Sequence, residues 1–91
     1  MVTDVRRNEE AHRYELTLDG RVVGIADFVD RPEAVVIPHT EIAPDLRGQG
    51  LGAVLVQGTL DDLRSRGRSV VPRCWYVAQF IDEHPDYRDL L

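Results

Sequence analysis

"HTEIAPDLRGQGLGAVLV", His39 to Val56, decides the reading of this chain. A strand-like run gives way to a loop containing Gly48, Gly50 and Gly52, and then to a helix-like run. Helix starts favour Ser, Thr, Asp or Asn, whose side chains bond the open N–H groups of the first turn. "RGQGLG", Arg47 to Gly52, offers no such side chain, and Asp45 lies too far upstream to cap a helix beginning near Gly50. Those N–H groups sit at the positive end of the helix dipole. Glycines leave them uncovered, Arg47 adds a positive charge, and the combination suits a phosphate. The plainer reading is a tight turn in which glycine serves only its backbone freedom. The turn is neither a dinucleotide fingerprint, which needs a strand-first unit and an acidic residue about 20 positions on, nor a P-loop, since the Gly-Lys-Ser/Thr ending is missing.

Working outward, Gly52, Leu55, Val56, Thr59, Leu60 and Leu63 follow a 3, 4, 3, 4 spacing that predicts one helical face, with Gly67 as the C-terminal cap. Upstream, "RYELTL" (Arg13–Leu18) alternates as a half-buried strand, Asp19-Gly20 signals a hairpin, and Arg21–Val29 is a second strand with a bulge near Gly24. Ala34–Ile42 is a third strand, in which Pro38 predicts a bulge or a break in pairing. Downstream, "SVVPRCW", Ser69 to Trp75, reads as a strand, "VAQFIDEH" as a short helix, and Pro85 opens a last turn. Strand, helix and strand in succession need a crossover, so the third and last strands are expected to be parallel.

The totals narrow the class. Ninety-one residues, 43% hydrophobic and 30% charged, fit one globular domain spanning 1–91, with no disorder expected beyond the first few residues. A net charge of -5 argues against nucleic acid as a main partner. One cysteine forbids an internal disulfide, and three scattered histidines, His12, His39 and His84, show no metal-ligand spacing, so no metal is expected. The polar start "MVTDVRRNEE" is no signal peptide, and no apolar run approaches the roughly 20 residues needed to span a bilayer. The expectation is a soluble cytoplasmic protein with no membrane partner.

"RGQGLG" after "HTEIAPDL" resembles motif A of the GCN5-related N-acetyltransferases (the GNAT superfamily), Gln/Arg-x-x-Gly-x-Gly/Ala, with Arg47, Gly50 and Gly52 at its three positions. "HTEIAP", "RGQGLG", "VVPRCWYV" and "PDYRDLL" together are similar to the small single-domain members of that superfamily, which have a Pro-x-Cys-x-Tyr segment; the likeness runs from about Tyr14 to Leu91. The resemblance implies a minimal α+β fold: antiparallel strands leading into a strand–helix–strand acyl-CoA unit, then short C-terminal helices. It also implies acetyl-CoA as cosubstrate, with its pyrophosphate on the turn. Coenzyme binding then falls to Ile42, Arg47, Gly48, Gln49, Gly50, Leu51 and Gly52, in a gap between "VVIPHTEI" and "SVVPRCWY". The usual acceptor-side helices between the first strands have no room here.

Acetyl transfer to an amine needs a polarised carbonyl, a deprotonated amine and a protonated leaving thiolate. Cys74 is one catalytic candidate, as a thiolate that takes the acetyl group or a thiol that protonates the departing sulfur; its plainer reading is a small buried hydrophobe. Read as a strand residue, Arg73 points away from it. His39, with an ordinary pKa of ~6.5, suits the amine proton, and Glu41 can take it through water; both are expected on the strand face beside the gap. Trp75 and Tyr76 either line the site or belong to the core, and Tyr87 pins the last turn. The expected function is acetyl transfer from acetyl-CoA to an amine, of a small molecule or a protein. The alternatives are an acyl-CoA-binding or protein-interaction module without turnover, and a structural protein whose turn binds nothing.

Overall fold

The computed structural model describes residues 2–91. Five strands form one sheet in chain order: β1 (Thr3–Asn8), β2 (Arg13–Leu18), β3 (Arg21–Asp30), β4 (Val35–Ile42) and β5 (Val70–Pro72). Pairing is antiparallel from β1 to β4, whereas β5 lies parallel to β4 after the crossover helix α1 (Leu51–Ser65). The chain ends in α2 (Trp75–Glu83) and a 3-10 turn, Pro85–Leu90. This is the expected α+β order.

One face of the sheet is greasy and covered. Tyr14 and Leu16 of β2, and Ala26 and Phe28 of β3, are buried beneath Leu55, Val56, Thr59, Leu60 and Leu63 of α1. The helical stripe begins at Leu51, which is buried, rather than at Gly52, which is only half-buried. Val77, Phe80 and Ile81 of α2 enter the same core, so both helices cover one side. Each fully buried leucine here contributes about 1.5–3 kcal/mol. The opposite face is polar and uncovered, with cross-strand rows Arg6–Glu15–Ile25–Glu41 and Asn8–Arg13–Asp27–His39.

Two segments differ from expectation. Thr3–Asn8 is an ordered edge strand, because Val5 and Arg7 turn toward the helix side. A Cβ on Gly58 would come within 2.6 Å of Val5, so α1 closes tightly on this strand. Arg7 stacks its guanidinium 4.3 Å from the Phe28 ring and donates to the Tyr14 hydroxyl at 2.8 Å. That hydroxyl donates in turn to Asp62 on α1. Burial and the Asp62 carboxylate together push Tyr14 up to about 12. The last strand is shorter than expected: it ends at Pro72, and Trp75 and Tyr76, aromatic residues that suit strands, instead open α2. The inward positions Val77, Phe80 and Ile81 show why, since 3 and 4 spacing holds the segment helical against the core.

Both predicted bulges are present. On β3, Leu16 pairs with Gly24 but Thr17 with Val22, which leaves Val23 as the extra residue. On β4, Asp27 pairs with His39 but Val29 with Val36, so Ile37 and Pro38 together oppose Phe28. The parallel pairing of β4 with β5 ends at the same place, Ile37 opposite Pro72.

Candidate functional site

A bulge in one strand exchanges inward and outward positions beyond it. Before Pro38, Val35 and Ile37 face the core. After it, Thr40 and Ile42 take the helix side, while His39 and Glu41 turn to the open face. His39 Nε2 and Glu41 Oε1 lie 2.9 Å apart, so these two share a face as expected. It is, however, the solvent face rather than the one carrying Cys74. The residue that meets Cys74 is Thr40, with Oγ1 3.4 Å from Sγ. The sequence held the signal for this exchange in Pro38, but its effect on side-chain direction needed the bulge register.

Beyond Ile37 the edge of β4 has lost its neighbour, and a cleft of about 760 Å³ opens there. Its walls are Pro38–Ile42, the turn from Leu46 to Gly52 (Gln49 excepted), Leu55, and Arg73 to Tyr76. Ile42, Arg47, Gly48, Gly50, Leu51 and Gly52 therefore come together with His39, Glu41 and Cys74, whereas Gln49 is exposed outside the cleft walls. Arg47 donates from Nε to the Ile42 carbonyl at 3.3 Å, bracing the end of β4.

Gly50 caps α1 with φ 78° and no side-chain hydrogen bond, so the helix start is bare. A positive φ of that size strains any residue with a Cβ. Asp45 does not cap it; it sits in the 3-10 turn Pro44–Leu46 and faces Arg21 at 3.7 Å. Gly52 has a different reason to be small. A Cβ there would lie 2.9 Å from the Tyr76 hydroxyl, so the tyrosine packs directly on the first turn of α1. This role for Tyr76 was not legible in the sequence.

Cys74 is not a strand residue. It is the N-cap of α2, in extended backbone, with its N–H donating to the Ile37 carbonyl at 2.9 Å. Strand alternation therefore does not turn Arg73 away from Cys74; Arg73 is exposed at the cleft wall. Burial pushes the Cys74 thiol up, but the Thr40 hydroxyl and the backbone N–H groups of Val77, Tyr76 and Thr40 outweigh it. The helical N–H groups face the sulfur without closing a full cap hydrogen bond. The net direction is downward from the ordinary thiol value, as for cysteines at helix starts. Trp75, next in the chain, is 73% exposed and is not a core residue.

The cleft thus collects two helix starts, one bare and one bearing a thiol, at the point where two parallel strands separate. A family model described as GCN5-related N-acetyl-transferase matches residues 13–90. The chain belongs to the GCN5-related N-acetyltransferase family. Among curated relatives, Protein NATD1 of Xenopus tropicalis is 24% identical over 84 residues, covering 89% of this chain and 76% of its own length. Protein NATD1 of Bos taurus is 26% identical over 84 residues, covering 89% of this chain and 74% of its own. Two solved structures share the fold. A GCN5-like protein from Staphylococcus aureus superposes with a TM-score of 0.71 at 16% identity, over 96% of this chain and 85% of that one. The ribosomal-protein-S18-alanine N-acetyltransferase from Escherichia coli gives 0.62 at 24% identity, over 72% of this chain. This chain accounts for only 43% of that enzyme, and at these identities the likeness is one of fold. Among the described residues no helix is long and apolar enough to cross a membrane, and no group of His, Cys, Asp and Glu is placed to hold a metal ion.

Proposed function

We propose that the protein transfers an acetyl group from acetyl-CoA to an amine, with the coenzyme lying in the cleft beyond Ile37. The observation that carries this reading is the convergence of the uncapped α1 start at Gly50 and the thiol of Cys74 on one cleft. The bare N–H groups suit the pyrophosphate, and Arg47 and Gly48 border the same turn. The free edge of β4, with Ile42 at its end, suits the amide groups of the pantetheine arm. Gln49, outside the cleft, is left without an assigned contact and serves the turn.

Cys74 is assigned as the group that meets the acyl carbon. Its depressed pKa favours the thiolate, the nucleophilic form. Cys74 Sγ bonds to the acetyl carbonyl carbon as the bond to the coenzyme sulfur breaks, and that sulfur leaves with the electron pair. The amine nitrogen then attacks the same carbon, Cys74 departs as thiolate, and the nitrogen gives up its proton. His39, at the rim of the same cleft, takes that proton; Glu41, 2.9 Å away, stabilises the imidazolium. The open polar face, with no helix across it, suits a protein or a linear amine as acceptor.

Thermal unfolding with and without acetyl-CoA tests binding: at 100 times the dissociation constant the gain is ~2.7 kcal/mol, a clear rise in Tm. Intact-mass analysis after incubation tests the chemistry, with an acetyl increment on Cys74 expected. Stabilisation without acetylation of Cys74 or thiol release in a panel of amines would favour a binding module instead. No stabilisation at all would overturn both readings.

A further inference from the structure

We propose that Thr40 is a positioning residue whose hydroxyl holds the Cys74 sulfur and favours its thiolate, which deepens the reading of Cys74 above and rests on it. The Cys74 backbone is fixed at both ends. Its N–H donates to the Ile37 carbonyl at 2.9 Å, and its carbonyl accepts from the Ala78 N–H at 3.1 Å. Only the rotation that swings the sulfur remains free. Among the described residues, Thr40 is the only side chain hydrogen-bonded to that sulfur, at 3.4 Å. Thr40 reaches it because the bulge at Ile37 and Pro38 turns position 40 to the helix side. A β-branched side chain on a paired strand has little rotamer freedom, so the hydroxyl is presented rather than searching.

The chemistry sets the direction of the bond. A thiolate has no proton, so the Thr40 hydroxyl must donate to it. A hydrogen bond to the charged form lowers the pKa of an acid. The thiol form can reverse the bond and donate to Thr40 Oγ1, so the contact survives protonation but favours the anion. The other titratable groups around the cleft are His39 and Glu41 on β4, Arg47 in the turn, Arg73 before α2 and Tyr76 on α2. None is hydrogen-bonded to the sulfur. His39 and Glu41, at the rim of the cleft, pair with each other.

The chain contains one cysteine, so alkylation by iodoacetamide without coenzyme reports Cys74 alone. Thr40→Val keeps the shape and the strand preference and removes the hydroxyl. The midpoint of the alkylation rate against pH should rise by about one pH unit, the effect of losing a charge-assisted hydrogen bond in a half-exposed site. At neutral pH the rate should fall roughly three- to tenfold, since the less acidic thiolate is intrinsically more nucleophilic. Thr40→Ser should keep the wild-type midpoint. A wild-type midpoint in Thr40→Val, or an equal rise in Thr40→Ser, would overturn the proposal. If Thr40→Val does not fold, Thr40→Ala against Thr40→Ser poses the same question. The outcome is separable from the fate of the acetyl-transfer reading. A midpoint shift in a protein that acetyl-CoA fails to stabilise supports the Thr40–Cys74 pair and sinks acyl transfer. A stabilised, self-acetylating protein without a midpoint shift sinks the Thr40 role alone.

Discussion

The two helices begin at the same cleft and begin differently. α1 starts at Gly50, in left-handed backbone, with nothing but main chain to offer. α2 starts at Cys74, in extended backbone, with a thiol in the capping position. Both starts concentrate unpaired N–H groups and positive dipole. At α1 that field is open to a ligand from outside. At α2 it meets the protein's own sulfur, whose pKa the Thr40 hydroxyl and the nearby backbone N–H groups lower together. On the proposed function, the same backbone physics serves binding where the cap is missing and reactivity where the cap is ionisable.

Four substitutions test the contrast, in decreasing order of expected effect. Cys74→Ala removes the ionisable cap and leaves α1 untouched. Turnover should fall by about three orders of magnitude or more, as for loss of a covalent nucleophile, while the Tm gain with acetyl-CoA persists. A variant that retains its turnover would make Cys74 a packing residue. Gly50→Val forces a β-branched residue to φ 78° and puts a side chain at the bare start. Folding stability should drop by about 1–2 kcal/mol in denaturant titration, and calorimetry with coenzyme A should show weakened binding. Unchanged binding would break the contrast, because the α1 start would then be only a turn.

Tyr14→Phe acts on the flank of α1 that the Arg7–Tyr14–Asp62 contacts pin to the sheet. About 1 kcal/mol should be lost, and coenzyme binding should survive if the two helix starts work locally. The pH dependence follows from the sign of the shift. Tyr14 has a folded pKa raised to about 12, above its ordinary value near 10. Its stabilising contribution is therefore complete below pH 10 and lost as pH climbs to 12. Wild-type stability should decline across that window, and the variant should lack that component. Gly52→Ala is the mildest. Its Cβ meets the Tyr76 ring at 2.9–3.2 Å, and the ring tip must give way. The expected cost is about 0.5–1 kcal/mol, largely recovered in the double variant with Tyr76→Phe; non-recovery would place the strain in the turn instead.

α1 was legible because its apolar spacing runs for four turns and its start is so poor in caps. β2, β3 and β4 were legible from alternation and from the Asp19-Gly20 hairpin. β1 was not, since an edge strand needs only Val5 and Arg7 turned inward, too little pattern to stand out in a polar segment. The start of α2 was obscured because Trp75 and Tyr76 suit a strand by type, and only the core behind Val77, Phe80 and Ile81 makes the segment helical.

By itself the sequence determined the family, the α+β order, the bare glycine start and the presence of breaks at Gly24 and Pro38. These are local properties: spacing, backbone freedom and a missing N–H act within a few residues. Tertiary structure alone decided which side chains meet. The bulge at Pro38 sends His39 and Glu41 to the open face and Thr40 to Cys74, and the approach of α2 to α1 lays Tyr76 on Gly52. The reason is parity and distance. One extra residue in a strand reverses the side-chain direction of everything beyond it, and the partner that completes the contact lies 34 residues away along the chain.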